Sequence, residues 1–287
     1  MAAELAIRSQ CISRERLQGG LISDTWRLRL ADGTTVVRKE GRGVPADLYA
    51  VEAASLDALR VPGAPVVPRV LGYGADWLEL EDFGPQAAWD ALPHPLDDPW
   101  WDGYGRALAQ LHGCTYGRCG WWHDTYWGTM RMDNRWCDDG AAFYAEQRFR
   151  WFLRRPAIVR LVPERQRRQV DRLAERIGTI VPAQPACLNH GDLWAGNRAT
   201  AIDGRPAMLD PFVHAGWASC DLHNCLQYGG FPGRFFAAYR ESRWLPPEWR
   251  EHVRPFFVLH HMGLIDQGFG DDETWQEFTQ VLDHYAG

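Results

Sequence analysis

The segment Leu188 to Asn197, L-N-H-G-D-L-W-A-G-N, followed by the apolar run Ala207-Met208-Leu209 that ends on Asp210, constrains this chain more than any other stretch. Phosphoryl transfer from a nucleotide needs a carboxylate to orient and deprotonate the acceptor hydroxyl, plus oxygen ligands on the metal that neutralises the phosphates. Asp192 suits the first role. Asn197, five residues on, and Asp210, at the end of the following strand, suit the second, because Mg²⁺ prefers carboxylate and amide oxygens to nitrogen or sulfur. Gly, Asp and Asn also make ordinary turns between strands, but here three polar positions and an apolar strand coincide in order.

That order, His-x-Asp, then Asn, then Asp after a strand, is the kinase catalytic loop with its metal-binding Asp, and Gly191 stands where protein kinases carry Arg. The His-Gly-Asp form resembles the small-molecule branch of that fold, the aminoglycoside and choline kinase relatives. The resemblance implies an α+β, bilobal, protein-kinase-like fold, with a small antiparallel-sheet N-terminal lobe and a larger, mostly helical C-terminal lobe. It also implies ATP and Mg²⁺ as cofactors, with His190 as a structural member of the loop.

At 287 residues the chain accommodates one large domain or two modest lobes. Hydrophobic content of 46% without an apolar run of membrane-spanning length reads as globular and not membrane-embedded. Met1 to Ser9 carries Glu4 and Arg8 and lacks a signal peptide's basic start and apolar centre, so a cytoplasmic location is expected. Seven cysteines without a C-x-x-C pair suggest reduced thiols rather than zinc ligands. The net charge of −6 argues against general nucleic-acid binding, and the Arg-rich stretch from Arg160 to Arg176 reads as a solvated helix face. The expected partner is a small molecule.

From Leu17 the chain reads L-Q-G-G-L-I-S-D-T-W-R-L-R-L-A-D-G-T-T-V-V-R-K-E. Alternation on each side of Asp32-Gly33 predicts a hairpin, and Gly19-Gly20 falls where a kinase covers the phosphates with bare backbone. Leu48 to Leu59 predicts an amphipathic helix bearing Glu52, the candidate partner for a cationic residue on the preceding strand. Lys39, the only lysine of the chain, and Arg38 compete for that cationic position. Strands follow at Val70 to Gly74 and Trp77 to Glu81, and Glu81 to Gly84 would link the lobes, with backbone near Glu81 and Phe83 meeting the adenine. The expected division is 1–84 and 85–287.

In the second part, helices are expected over Trp100 to His112, Ala141 to Leu153, Glu164 to Ile180, Phe235 to Arg240, Glu248 to Leu264 and Thr274 to Tyr285. Tyr116 to Asp139 has no period and is rich in tryptophan.

Across most of its length the chain resembles the fructosamine (ketosamine) kinases: G-G-L-I-S-D-T-W-R-L near the start, Y-G-R-C-G-W-W and M-D-N-R-W in the middle, L-N-H-G-D-L-W-A-G-N, and M-L-D-P-F-V-H-A-G with Asp221-Leu222 after it. The resemblance implies Asp192 as catalytic base, Asn197 and Asp210 as Mg²⁺ ligands, Glu52 as the ion-pair partner and Asp221 as a structural brace. An ungapped count back from Glu52 puts the family's phosphate-contacting lysine on Arg38. The two side chains face opposite ways from a strand, and Arg38 is preferred because it leaves Val37 to pack and Lys39 in solvent; Arg can also bond two phosphate oxygens.

Ser219 and Ala215 depart from the family's usual Glu and Tyr and are expected near the acceptor. The acceptor is expected to be a sugar-bearing amine against aromatic rings, Trp194 first and then Trp127, Trp136 and Trp217. A basic antibiotic is the alternative substrate, and a catalytically silent binding protein the alternative class.

Overall fold

The computed structural model describes residues 11–17, 22–87 and 90–285. Its first part is a five-stranded antiparallel sheet of order β1-β2-β3-β5-β4, built from β1 (Cys11–Arg16), β2 (Asp24–Leu30), β3 (Thr35–Glu40), β4 (Val70–Tyr73) and β5 (Trp77–Glu81). The β2–β3 turn forms where expected: Gly33 takes φ 87°, and Asp32 Oδ1 accepts from Thr34 N at 2.9 Å and from its hydroxyl at 2.7 Å.

Helix α1 (Leu48–Ala58) packs against the sheet, with Tyr49 and Leu56 fully buried beside Leu78 and Leu80. Each such side chain contributes roughly 1.5–3 kcal/mol by leaving water. Prolines 62, 65 and 68 keep the next segment out of a helix, with a turn closed by Ala64 N on Val61 O, and Val66 pairs in parallel with Ala207 far along the chain. That bridge joins the sheet to the strands around the catalytic loop.

The second part is mostly helical, with α2 (Trp100–Gly113), α3 (Gly140–Tyr144), a π turn over Ala145–Phe149, α4 (Arg150–Leu153), α5 (Pro156–Leu161), α6 (Glu164–Ile180), α7 (Ser219–Leu226), α8 (Gly233–Ser242), α9 (Trp249–Gln267) and α10 (Asp272–Tyr285). Short strands lie among them: β6 (Thr115–Tyr116), β9 (Ala186–Asn189) and β12 (His214–Gly216) form one sheet, β10 (Arg198–Thr200) and β11 (Pro206–Met208) a second, and β7 (Thr125–Trp127) and β8 (Met130–Met132) a third. The last pair lies in the tryptophan-rich stretch without period. Strands of three residues are too short to print an alternation in the sequence.

One apolar core runs from α1 and the sheet through Tyr104 and Leu108 of α2 to Leu193 and Met208 beside the catalytic loop. A second fills the space among the later helices, around Phe149, Leu173 and Phe256. Among the described residues no helix is long and apolar enough to cross a membrane.

Candidate active site

Two strand ends and one turn deliver the three polar positions of the motif. After β9, His190, Gly191 and Asp192 turn away from the sheet, and Asp221 holds the turn by accepting from His190 N and Gly191 N, each at 2.7 Å, and from His112 Nε2 at 3.1 Å. The carboxyl of Asp221 is fully buried. Burial opposes its charge, but the bonds and charge of His112 and the neighbouring loop groups outweigh burial and hold its pKa below the usual range. Gly191 is obligatory: φ is 89°, and a Cβ there would lie 2.0 Å from Phe212 O.

The loop then closes on the metal-ligand candidates. Asn197 Nδ2 donates to Asp192 O at 2.7 Å and to Asp192 Oδ2 at 3.0 Å. Leu209 N donates to Asn197 O at 2.8 Å, which sets Asp210 beside Asn197, and His190 Nε2 donates to Leu209 O at 2.8 Å. Asp210 takes φ 55°, a backbone setting that L side chains rarely adopt and that recurs at functional sites. Asn224, which also bonds Gly191 O at 2.9 Å, belongs to this brace and carries no sequence signal of its own.

Lys39 crosses from the sheet to this loop. Its Nζ donates to Glu52 Oε1 at 2.6 Å and to Asp210 Oδ1 at 2.5 Å. Burial works against its charge, but the Asp210 and Glu52 carboxylates outweigh burial and keep the ammonium protonated. The sequence reading preferred Arg38, but the structure brings Lys39, not Arg38, to Glu52 and Asp210. Arg38 is buried on the opposite face of β3, where Nη1 meets Glu79 Oε1 at 2.5 Å, Nε meets Glu40 Oε1 at 2.7 Å, and the guanidinium lies 4.6 Å over the Trp77 ring. The position that wanted an apolar side chain takes a cation because β5 supplies a buried carboxylate directly across from it.

Lys39, Glu52, Asp192, Asn197 and Asp210 line one cavity of about 250 Å³. Its charged lining among the described residues is three carboxylates against one ammonium. Burial, then the nearby Asp210 charge, pushes the Asp192 carboxyl up to about 8. Surplus negative charge with carboxylate and amide oxygens fits a hard divalent cation. Among the described residues no group of three His, Cys, Asp or Glu is arranged to hold a metal ion by itself.

Ile22, Ser23 and Thr25 line the cavity just beyond Gly19 and Gly20, which lie outside the described residues. Glu81 accepts from Arg69 at 3.3 Å, and Phe83 packs on Ala199, Ala201 and Ala207 at the link. Asp82, between them, pairs with Arg27 at 2.7 Å and accepts from Gly84 N at 2.9 Å.

Of the four tryptophans expected at the acceptor, Trp194 and Trp127 line the cavity. Trp194 lies edge-on to Tyr228 at 5.7 Å, and Gly196 leaves room for its ring, since a Cβ there would meet it at 2.3 Å. The Trp127 ring stacks on Phe212 at 6.4 Å. Trp217 does not line the cavity; it is packed in the core, 2% exposed and 4.9 Å from Tyr144. Trp136 also does not line the cavity but sits among Tyr116, Trp122 and Arg118.

Ala215 and Ser219, expected near the acceptor, are buried elsewhere, Ala215 in β12 and Ser219 accepting from Gln184 at 2.8 Å. Tyr228, His260, Gln267 and Phe269 line the cavity unannounced, drawn from the far end of the chain by helix packing. The His260-His261 pair inside an apolar helix was the one available signal.

The fructosamine kinase family model matches residues 2–285. A probable ketoamine kinase of Thermus thermophilus is 32% identical over 265 residues, 88% of this chain and 88% of its own length. A second, from Synechocystis, is 29% identical over 253 residues, 82% of this chain and 79% of its own. Among solved structures, a candidate fructosamine-3-kinase of Thermobifida fusca superposes with a TM-score of 0.82 at 25% identity, covering 99% of this chain and 97% of that one. A choline kinase of Streptococcus pneumoniae, at 12% identity and a TM-score of 0.63 over 99% of this chain and 98% of its own, shares the fold. With the family model spanning nearly its whole length, this chain belongs to the fructosamine kinase family and is a small-molecule kinase that transfers phosphate to an alcohol.

Proposed function

We propose that the protein phosphorylates a hydroxyl of a ketosamine with ATP. The observation that carries this reading is the ion-paired bridge from Lys39 to Glu52 and Asp210 in the same cavity as Asp192 and Asn197. Lys39 holds the nucleotide phosphates, and Glu52 holds Lys39. The link at Glu81 to Phe83 meets the base through its backbone, and the lobes divide near Gly84.

Asp192 orients the acceptor hydroxyl and takes its proton as the oxygen attacks. Its raised affinity for a proton suits a general base that works near neutral pH. Asn197 and Asp210 hold Mg²⁺, which when bound neutralises phosphate charge. Trp194 and Trp127 receive the apolar face of the sugar, and a protonated amine on the acceptor is attracted by the ring faces and the surplus negative charge.

Two sequence arguments for other readings lose their force. Ala215 and Ser219 lie outside the cavity, so they do not favour an antibiotic substrate. The non-standard Arg38 sits on the far face of the sheet with Glu79, so it does not favour a silent protein.

A nucleotide-consumption screen against ketosamines and basic antibiotics tests the proposal. Turnover with ketosamines is expected; turnover with antibiotics alone overturns the substrate, and turnover with neither overturns the activity.

A further inference from the structure

Helix α1 carries Glu52, and its start is held by the second part of the molecule. Asp47 occupies the N-cap position, yet its carboxylate accepts nothing from the helix. Aspartate is a favoured N-cap because its oxygen satisfies a bare helix N–H, so its diversion needs a reason. Asp47 Oδ1 accepts instead from the Tyr126 hydroxyl at 2.7 Å, and Oδ2 pairs with Arg131. Tyr126 and Arg131 are cross-strand partners of the β7–β8 hairpin, with the guanidinium 5.0 Å over the tyrosine ring.

The other side of that hairpin is anchored at the catalytic loop. Thr125 Oγ1 donates to Val213 O at 3.1 Å, Asn134 Nδ2 donates to Thr125 Oγ1 at 2.8 Å, and Trp127 lines the same cavity as Asp192. One short hairpin thus lines the cavity of Asp192 through Trp127 and holds the start of α1 through Tyr126 and Arg131.

We propose that Asp47, with Tyr126 and Arg131, is a positioning residue for the nucleotide. The latch fixes where α1 sits over the cavity, so that Glu52 keeps Lys39 directed at the phosphates. This rests on the kinase reading of Lys39 and Glu52.

A purely stabilising role fits poorly. The Asp47 and Arg131 side chains are 48% and 49% exposed, and half-exposed ion pairs add little to folding. Small displacements of catalytic groups, by contrast, lower rates by about a hundredfold per ångström. The latch is therefore expected to be visible in kinetics and nearly silent in stability.

The test uses the full chain with Asp47→Ser, which retains a cap-forming residue, and with Arg131→Ala, singly and together. The expected result is a nucleotide KM raised about tenfold, an unchanged acceptor KM, an unchanged melting temperature, and a double variant no worse than the more severe single one. Arg131→Lys should recover part of the loss. Equal rises in both KM values, additive effects, or an unchanged nucleotide KM would overturn the latch.

Calorimetric titration with MgATP separates this inference from the reading beneath it. Binding by the parent and equally by the variants overturns the latch alone, whereas no binding by the parent overturns both.

Discussion

Arg38 and Glu79 face each other across β3 and β5 as an ion pair with side chains only 2% and 1% exposed. Removing one member strands a buried charge, which costs about 3–5 kcal/mol, whereas replacing both by apolar groups is often neutral. Arg38→Ala should therefore lower unfolding free energy by about 3–5 kcal/mol, and Arg38→Met with Glu79→Leu should recover most of it. Denaturant titration measures this. The folded double variant should keep nearly parental turnover.

Lys39→Ala should do the reverse. Loss of the phosphate cation should lower kcat/KM for the nucleotide by about 10²–10³-fold in a protein that stays folded. Steady-state kinetics of the two alanine variants at a temperature where both are folded ranks them. A larger kinetic loss at Arg38 would mean that the phosphates lie on the other face of β3.

Asp192→Asn should reduce kcat by about 10²–10⁴-fold while leaving MgATP affinity nearly intact, because the base meets the acceptor rather than the phosphates. Single-turnover kinetics with parallel calorimetry checks both halves. Retained turnover within tenfold removes Asp192 from the role of base.

Asp221 links stability to pH. Its folded pKa is depressed, so its stabilisation is complete above its unfolded pKa of about 4 and is lost as pH falls through the folded value. Asp221→Asn should be much less stable than the parent at neutral pH, with the gap narrowing below about pH 4. Unfolding titrations at neutral and acid pH measure the gap. A gap that stays constant would show that the carboxylate charge does not brace the loop.

What the sequence disclosed and what it hid follow a physical division. The β2–β3 hairpin, α1 and the long helices were readable because turn chemistry and apolar spacing are local, and His190 to Asn197 stood out because its polar residues follow one another within a few positions, Asn197 bonding directly to Asp192. The choice between Arg38 and Lys39 was not local. It depended on Glu79, forty-one positions later, standing in the middle of an apolar strand on the face of Arg38. W-L-E-L-E held that clue. That Trp217 and Trp136 lie away from the cavity was not legible, because tryptophan serves packing and recognition with the same residue, and only the path of the chain separates the two.

Trp194→Ala should raise the acceptor KM by about tenfold, consistent with loss of a stacking surface worth ~1 kcal/mol or more, with the nucleotide KM unchanged. An unchanged acceptor KM would remove the ring from the sugar site. Trp217→Phe, inside the core, should change neither KM.

The most direct measurement is ³¹P NMR of the purified protein with MgATP and a synthetic fructosyl amine. A new sugar phosphate signal should grow as the γ-phosphate of ATP declines, with both changes at least about a hundredfold slower in Asp192→Asn. No transfer to any ketosamine, or transfer by Asp192→Asn within tenfold of the parental rate, would contradict the phosphorylation of a ketosamine with Asp192 as base.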